Sequence, residues 1–400
     1  MTNISEIAPR ETSNRLYALV CSGAFFAIAT EALISLLLPL LALRNELSLI
    51  QLGVIVAVGS IGPILLALPS GAFCDHFGDR RMMLVSALGV FFTSLAYTLF
   101  DDFGLLCGVA VVGGLFRAMS WVSTQSYALR FISAERRQKF MGHFSFVAGM
   151  GMLVSPLAAG YLAERVSLTA GFQFMACWGG TLMLVAWRLP EIARPEKAAI
   201  RVGQVILDSY RNALPLLARP VIVVIMAFTL LRLAAAAINS SFYPVHLDQV
   251  GISILLIGQL FALIHVGTSL GTLMAAPLTR YLPGPWVLGF ALVLSTITIA
   301  VVPLFTTVIP IAVCTFLHGL GQGISLPQIL AAIGRHADHS ERGLVLGMRS
   351  MFNRVGYLFV PVILGVVAES AGLQVAFLST ATGILVLVIV STVALLRIDR

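Results

Sequence analysis

The run from Leu16 to Leu43, LYALVCSGAFFAIATEALISLLLPLLAL, decides the fold. It exceeds the roughly 20 apolar residues that a helix rising 1.5 Å per residue needs to cross a bilayer. One charged side chain, Glu31, sits close to its middle. A carboxylate at that depth is costly to keep ionised, and by default it marks a functional position. The other acidic residues fall between the apolar runs or near their edges.

The rest of the chain repeats this pattern. Of its 400 residues, 58% are hydrophobic and 11% are charged. A soluble domain carries about 25% charged residues, so an ordinary soluble domain is excluded. Twelve apolar runs are long enough to span, at 16–43, 50–73, 82–100, 103–130, 140–163, 170–188, 220–243, 254–277, 286–305, 308–333, 343–368 and 373–396. They are apolar on all faces, whereas barrel strands are about ten residues long and alternate apolar with polar. The expected class is an all-α integral membrane fold of twelve transmembrane helices.

A net charge of +7 raises the question of nucleic acid. The charge map assigns the excess to one side of a membrane instead. Nineteen cations fall in alternate segments: the N-terminus, 74–81, 130–139, 188–219, Arg280, 334–342 and the C-terminus. The opposite segments hold only Arg44 and Arg165. This positive-inside bias predicts both termini in the cytoplasm and a bilayer, not nucleic acid, as the large partner. The remaining cations, Arg117, Arg232, Arg349 and Arg354, lie within spans. The scattered cysteines form no C-x-x-C pair and read as small core residues, not as a metal or disulfide framework. The first run is too long for a leader's apolar core, so no cleavable signal is expected.

The segment 189–219 is the longest polar stretch. It divides the chain into an N-terminal half (1–188), a cytoplasmic linker (189–219) and a C-terminal half (220–400), with six spans on either side. Ala198 to Leu214 has the pattern of an amphipathic helix on the inner membrane surface, but a plain connector is the preferred reading. An internal repeat supports the division. At an offset of 205 residues, Gly142, Gly151, Pro156, Gly160, Glu164 and Phe172 fall on Gly347, Gly356, Pro361, Gly365, Glu369 and Phe377. Gly114-Leu115 falls on Gly319-Leu320 at the same offset. Parallel six-helix repeats are a transporter architecture, with the binding site between the halves near the midplane.

Three stretches carry a family likeness. Between the second and third runs stands Gly71-Ala-Phe-Cys-Asp75-His-Phe-Gly78-Asp79-Arg80-Arg81. The fourth run holds Arg117 in GLFRAMSW, and the fifth reads Gly151-Met-Leu-Val-Ser155-Pro156-Leu-Ala-Ala159-Gly160. The first resembles the cytoplasmic signature of the major facilitator superfamily, with His76 and Asp79 in place of basic residues. The third is similar to the antiporter signature of its twelve-helix drug:proton exchangers, with Ser155 and Ala159 as small replacements. The resemblance implies that Gly71, Asp75, Gly78, Arg80 and Arg81 belong to a conformational gate, together with Gly151, Pro156 and Gly160. On the residues alone, small side chains one turn apart permit close helix packing, and Pro156 permits a bend.

The resemblance also implies that the first, fourth, seventh and tenth spans line a central cavity. Polar stripes agree with it. Glu31, Arg117, Arg232 and Gln322 fall near the centres of those spans, and Arg354 near the centre of the eleventh. Helical spacing sets Trp121 beside Arg117, Asn239 and Tyr243 beside Arg232, and His318 beside Gln322. Trp121, Trp178, Phe25 and Phe26 are candidates for an apolar pocket. Glu31 with Arg117 reads as a proton-coupling pair, since a guanidinium that approaches and departs changes the proton affinity of a buried carboxyl. Arg232, Arg349 and Arg354 have no acid partner in the sequence of the spans. That points to an anionic or zwitterionic substrate, or equally to arginines that serve gates and packing.

Enzyme-like patterns do not survive their context. Gly267-Thr-Ser269-Leu-Gly271 fits G-x-S-x-G, but it lies inside an apolar helix and not between a strand and a helix. No P-loop is written, and His336-Ala-Asp338-His339 lacks further ligands for a metal. The expectation is a secondary transporter, not an enzyme, with no cofactor beyond a proton gradient. The preferred reading is a monomeric, proton-coupled exporter of small amphipathic molecules in a bacterial cytoplasmic membrane. The alternative is a proton-coupled carrier of an organic anion or zwitterion.

Overall fold

A computed structural model describes residues 14–67, 69–132, 136–192, 202–337 and 341–398. Arg10, Arg194, Lys197, Arg201, Asp338, His339 and Arg400, used in the charge and metal readings above, lie outside these. The described residues form helices, eleven of them long and apolar enough to cross a membrane. The third expected span is also helical, Asp79–Ala96, but its first turn carries Asp79, Arg80 and Arg81. With it, all twelve expected spans are helical.

Two spans are broken where the sequence reading had them continuous. The second consists of Leu49–Val58, Ile61–Ala67 and Ser70–Phe77. Pro63 and Pro69 have no N–H to offer the carbonyls one turn back, so the ladder fails before each. The seventh divides into Pro220–Ser241 and Tyr243–Gln249 at Phe242, for which Pro244 supplies the same cause. The linker holds a helix, Val202–Ala213, followed by a 3-10 turn, Leu214–Ala218. The Tyr210 hydroxyl of that helix donates to the Ile64 carbonyl at 2.7 Å, which ties it to the second span.

The halves repeat each other contact by contact. The first span packs on the fourth, fifth and sixth, and the seventh on the tenth, eleventh and twelfth. Across the halves, the fifth packs on the eighth and the eleventh on the second. The sequence offset of 205 holds for backbone contacts too. A methyl group on Gly151 would meet the Phe25 carbonyl, and one on Gly356 would meet the Leu230 carbonyl. One on Gly53 would meet the Pro361 carbonyl, and one on Gly258 the Pro156 carbonyl. Each contact maps onto its mate by the same shift. Helices approach this closely only where side chains are absent, which gives the small residues of the fifth and eleventh spans their place.

The core shows which face is joined. One buried apolar cluster joins both halves. In the second half it runs the full depth, from Leu216 and Ala337 to Phe242, but its first-half members all lie on the face away from Asn14 and Ile398. It includes Leu33 to Ala42 of the first span and Phe242 to Leu247 of the seventh. Toward the other face, Val20, Ala27, Tyr127, Phe140 and Leu189 belong to a separate cluster drawn from the first half alone.

Candidate functional site

A cavity of about 470 Å³ lies at mid-depth between the halves. The first, second, third, fourth and fifth spans contribute Glu31, Ser60, Tyr97, Arg117 and Met152 to its lining. Arg232, Asn239, His265, His318, Gln322, Asn353, Arg354 and Tyr357 come from the second half.

Glu31 is the centre of its electrostatics. Its Oε1 accepts a hydrogen bond from Nη2 of Arg354 at 3.2 Å. Its Oε2 lies 3.6 Å from Nε of Arg117. Arg354 was expected to lack an acid partner, and this corrects that expectation: it shares the same carboxylate as Arg117. The eleventh span carries Arg354 across the interface toward the first, a proximity that sequence spacing does not encode. Arg117 is the more deeply buried, with 7% of its side chain exposed against 30% for Arg354. Its Nε and Nη1 have no hydrogen-bond partner, so Glu31 meets it as an ion and not through a formed hydrogen bond. One carboxylate between two guanidiniums leaves the group positively charged when Glu31 is ionised.

Arg232 is held by neutral groups. Its Nε donates to the Ser325 hydroxyl at 3.0 Å, and its Nη2 to the Gln322 carbonyl at 3.3 Å. The Gln322 amide in turn donates to the Arg232 carbonyl at 3.0 Å and to the Ser295 hydroxyl at 2.9 Å. His318 Nδ1 lies 3.0 Å from the same hydroxyl. Arg232, Gln322 and His318 therefore form a cross-braced wall joining the seventh, ninth and tenth spans. This wall edges the cavity and holds no carboxylate.

The structure brings Glu31, Arg117, Arg232, Asn239, His318, Gln322 and Arg354 to one cavity. Two expected cavity residues lie elsewhere. Trp121 packs against Phe144 of the fifth span with ring centroids 5.9 Å apart. Tyr243 is fully buried below the break in the seventh span, with its hydroxyl 2.5 Å from that of Thr315. Phe25 and Phe26 gather around Trp178, at 5.0 and 4.8 Å, between the first and sixth spans. The sequence reading missed Asn353 and Tyr357, which flank Arg354 on the eleventh span. Their spacing was the available signal: Tyr357 stands three residues after Arg354, on the same helical face. The Oδ1 atoms of Asn239 and Asn353 are buried without a partner, so the cavity wall offers unmet hydrogen-bonding capacity.

The loop between the second and third spans is a charged knot. Arg130 pairs with Asp75 and with Asp79, the latter at 3.4 Å and 1% exposed. Arg80 donates to the Ala186 carbonyl at 3.2 Å and to the Trp187 carbonyl at 2.7 Å, closing the end of the sixth span. Arg81 pairs with Glu191 at 3.1 Å. Gly78 has φ of 100°, a backbone state that a side chain would strain. Gly71 is exposed, with open space where a side chain would stand. In the fifth span, Gly151 backs onto the first span, Ser155 donates to the Ala29 carbonyl at 3.3 Å, and Gly160 meets the eighth. Among the described residues, no group of three His, Cys, Asp or Glu side chains could hold a metal ion.

Two six-helix repeats around a charged mid-depth cavity define a membrane transporter. The chain belongs to the Major Facilitator Superfamily, whose family model matches residues 20–281 and 224–400. It is similar to Multidrug resistance protein 1 of Bacillus subtilis (strain 168), 23% identical over 90% of this chain and 91% of that one. It is also similar to Multidrug resistance protein MdtG of Dickeya zeae (strain Ech586), 24% identical over 98% and 97% of the two chains. Among solved structures, a point mutant of the nucleoside transporter NupG superposes with a TM-score of 0.77 at 13% identity, covering 95% of this chain and 99% of that one. A bacterial homologue of the human lysosomal transporter Spinster gives 0.77 at 12%, covering 98% and 99%. At such identities the structural likeness extends to the fold.

Proposed function

We propose that this transporter is a proton-coupled exporter of small amphipathic molecules that works by alternating access, with Glu31 as its titrating group. The observation that carries the proposal is the placement of Glu31 between one arginine of its own half and one of the other. Arg117 moves with Glu31 when the halves rock as units. Arg354 does not. Parting the halves removes one of two cations from the carboxylate, and a carboxylate with fewer cations beside it holds a proton more readily. Proton affinity then follows conformation, which is what coupling to a gradient requires. The multidrug-resistance names of the sequence relatives support the outward direction and the amphipathic class. The proposal places the chain in a bacterial cytoplasmic membrane as a monomer, both termini inside, with the proton gradient and no cofactor as its energy source.

A second reading rests on Arg232, which reaches the cavity with neutral acceptors only. Together with the Glu31 group, it makes the cavity a site for an organic anion or zwitterion. Purified protein in liposomes separates the readings. A candidate panel is presented with and without an imposed pH gradient, and substrate and proton fluxes are followed together. Exporter coupling predicts uptake of cationic or neutral amphiphiles into inverted vesicles against outward proton flow. The second reading predicts carboxylate transport that is lost in Arg232→Ala.

A further inference from the structure

Glu164 and Glu369 stand 205 residues apart, at the far ends of the fifth and eleventh spans. Each reaches into the other half. Glu164 Oε2 accepts the backbone N–H of Leu255 at 2.7 Å, in the first turn of the eighth span. Glu369 Oε2 accepts the backbone N–H of Leu49 at 2.8 Å, at the start of the second span. The recipient helices are themselves matched. Ser48 caps the second span by accepting from Gln51 N, and Ser253 caps the eighth by accepting from Leu256 N. Those serines are also separated by 205 positions.

The first turn of a helix leaves four N–H groups without intrahelical acceptors. One side-chain cap satisfies one of them, and the positive end of the helix dipole favours a carboxylate beside the rest. In this transporter each anion comes from the opposite half. Both bonds lie on the face where the apolar core is continuous between the halves. Nearby, Gly160 meets Ile254 and Gly365 meets Leu49, so each carboxylate sits at the end of a seam of backbone contact. Both bonds are exposed, and moving the halves apart on this face breaks them and leaves each helix end without its carboxylate.

We propose that Glu164 and Glu369 are positioning residues that act as twin latches, each holding the face opposite the termini closed by capping a helix of the other half. The two are equivalent by the repeat and share no partner, so their contributions combine independently. The latches belong to the conformational equilibrium itself and do not depend on which substrate is carried or on whether Glu31 titrates.

The test uses the full chain with its native cysteines replaced and nitroxide labels at Asp101→Cys and Thr306→Cys. These exposed positions are on the latched face, one in either half. Inter-label distance distributions are measured at fixed pH without substrate or gradient. Glu164→Ala and Glu369→Ala are each expected to raise the ratio of long-distance to short-distance populations about fivefold, the scale of a charged cap on a helix terminus. The double variant should approach the product of the two. Glu164→Gln and Glu369→Gln keep the shape and an acceptor oxygen while removing the charge, and should give smaller shifts in the same direction. Ser167→Ala removes a cap within one half on the same face and should leave the distribution unchanged. Distributions that match the parent in both alanine variants and in their double overturn the proposal. So does a shift of equal size in Ser167→Ala.

Discussion

Glu31 and Arg354 are separated by 323 residues and joined by a 3.2 Å hydrogen bond across the two halves. In the rocking motion proposed above this contact is made and broken, while Arg117 keeps its 3.6 Å approach to the same carboxylate from within the first half. The two arginines therefore predict different phenotypes.

Arg354→Ala removes the cross-half partner and leaves Glu31 with Arg117. Gradient-driven transport is expected to fall at least tenfold, with the thermal midpoint changed by only a few degrees. Arg354→Lys restores a point charge without the planar guanidinium and should recover part of the rate. Flux in liposomes and a melting curve on the same preparation check this.

Arg117→Ala acts mainly on stability. Arg117 is the most buried member of the group, and its neighbour Glu31 has 22% of its side chain exposed. Removing one partner of a buried ion pair is destabilising by about 3–5 kcal/mol, here moderated by the remaining Arg354. A clear loss of thermal stability, larger than that of Arg354→Ala, is the expected result.

Trp121→Ala and Asn353→Ala separate packing from binding. Trp121 lies outside the cavity against Phe144 and is partly buried, so its loss should lower stability by less than the about 3–5 kcal/mol of a fully buried aromatic. Substrate affinity should stay within about twofold of the parent. Asn353 lines the cavity and has an unsatisfied oxygen. Its replacement should weaken substrate binding by about 1 kcal/mol or more, the value of one hydrogen bond. Ligand titration of both variants distinguishes the two roles.

Gly258→Val tests the cross-half seam. Any side chain at this position meets the Pro156 carbonyl. Overpacking costs typically 1–3 kcal/mol, and this cost falls only on the conformation in which the eighth and fifth spans touch. Cysteine-labelling rates on the latched face should rise and transport should fall. Gly53→Val, its mate at the second span, should behave alike because it meets the Pro361 carbonyl.

Much of the fold was legible because bilayer length and charge placement constrain a membrane chain strongly. The 205-residue offset, read from a few glycines, prolines and acids, recurs in the contacts of Gly53, Gly151, Gly258 and Gly356. Glu31 and Arg117 could be picked out because a charge in an apolar run has few explanations. The errors came from rotation and from distance along the chain. Trp121 follows Arg117 by four positions, and such a step turns the helix about 40° beyond a full turn. That was enough to carry the indole toward the fifth span. An unbroken helix over 220–243 would set Tyr243 beside Arg232, whereas the helix breaks at Phe242 and buries it. Sequence spacing gives Arg354 no partner, because Glu31 is in the other half and only the crossing of two spans creates that pair.

The most direct test of the account is gradient-driven transport by Glu31→Gln in liposomes, run beside the parent with the same substrate. The account predicts that the imposed pH gradient no longer accelerates transport in the variant, while exchange of substrate without a gradient continues. Acceleration by the gradient equal to that of the parent would contradict the assignment of Glu31 as the titrating group.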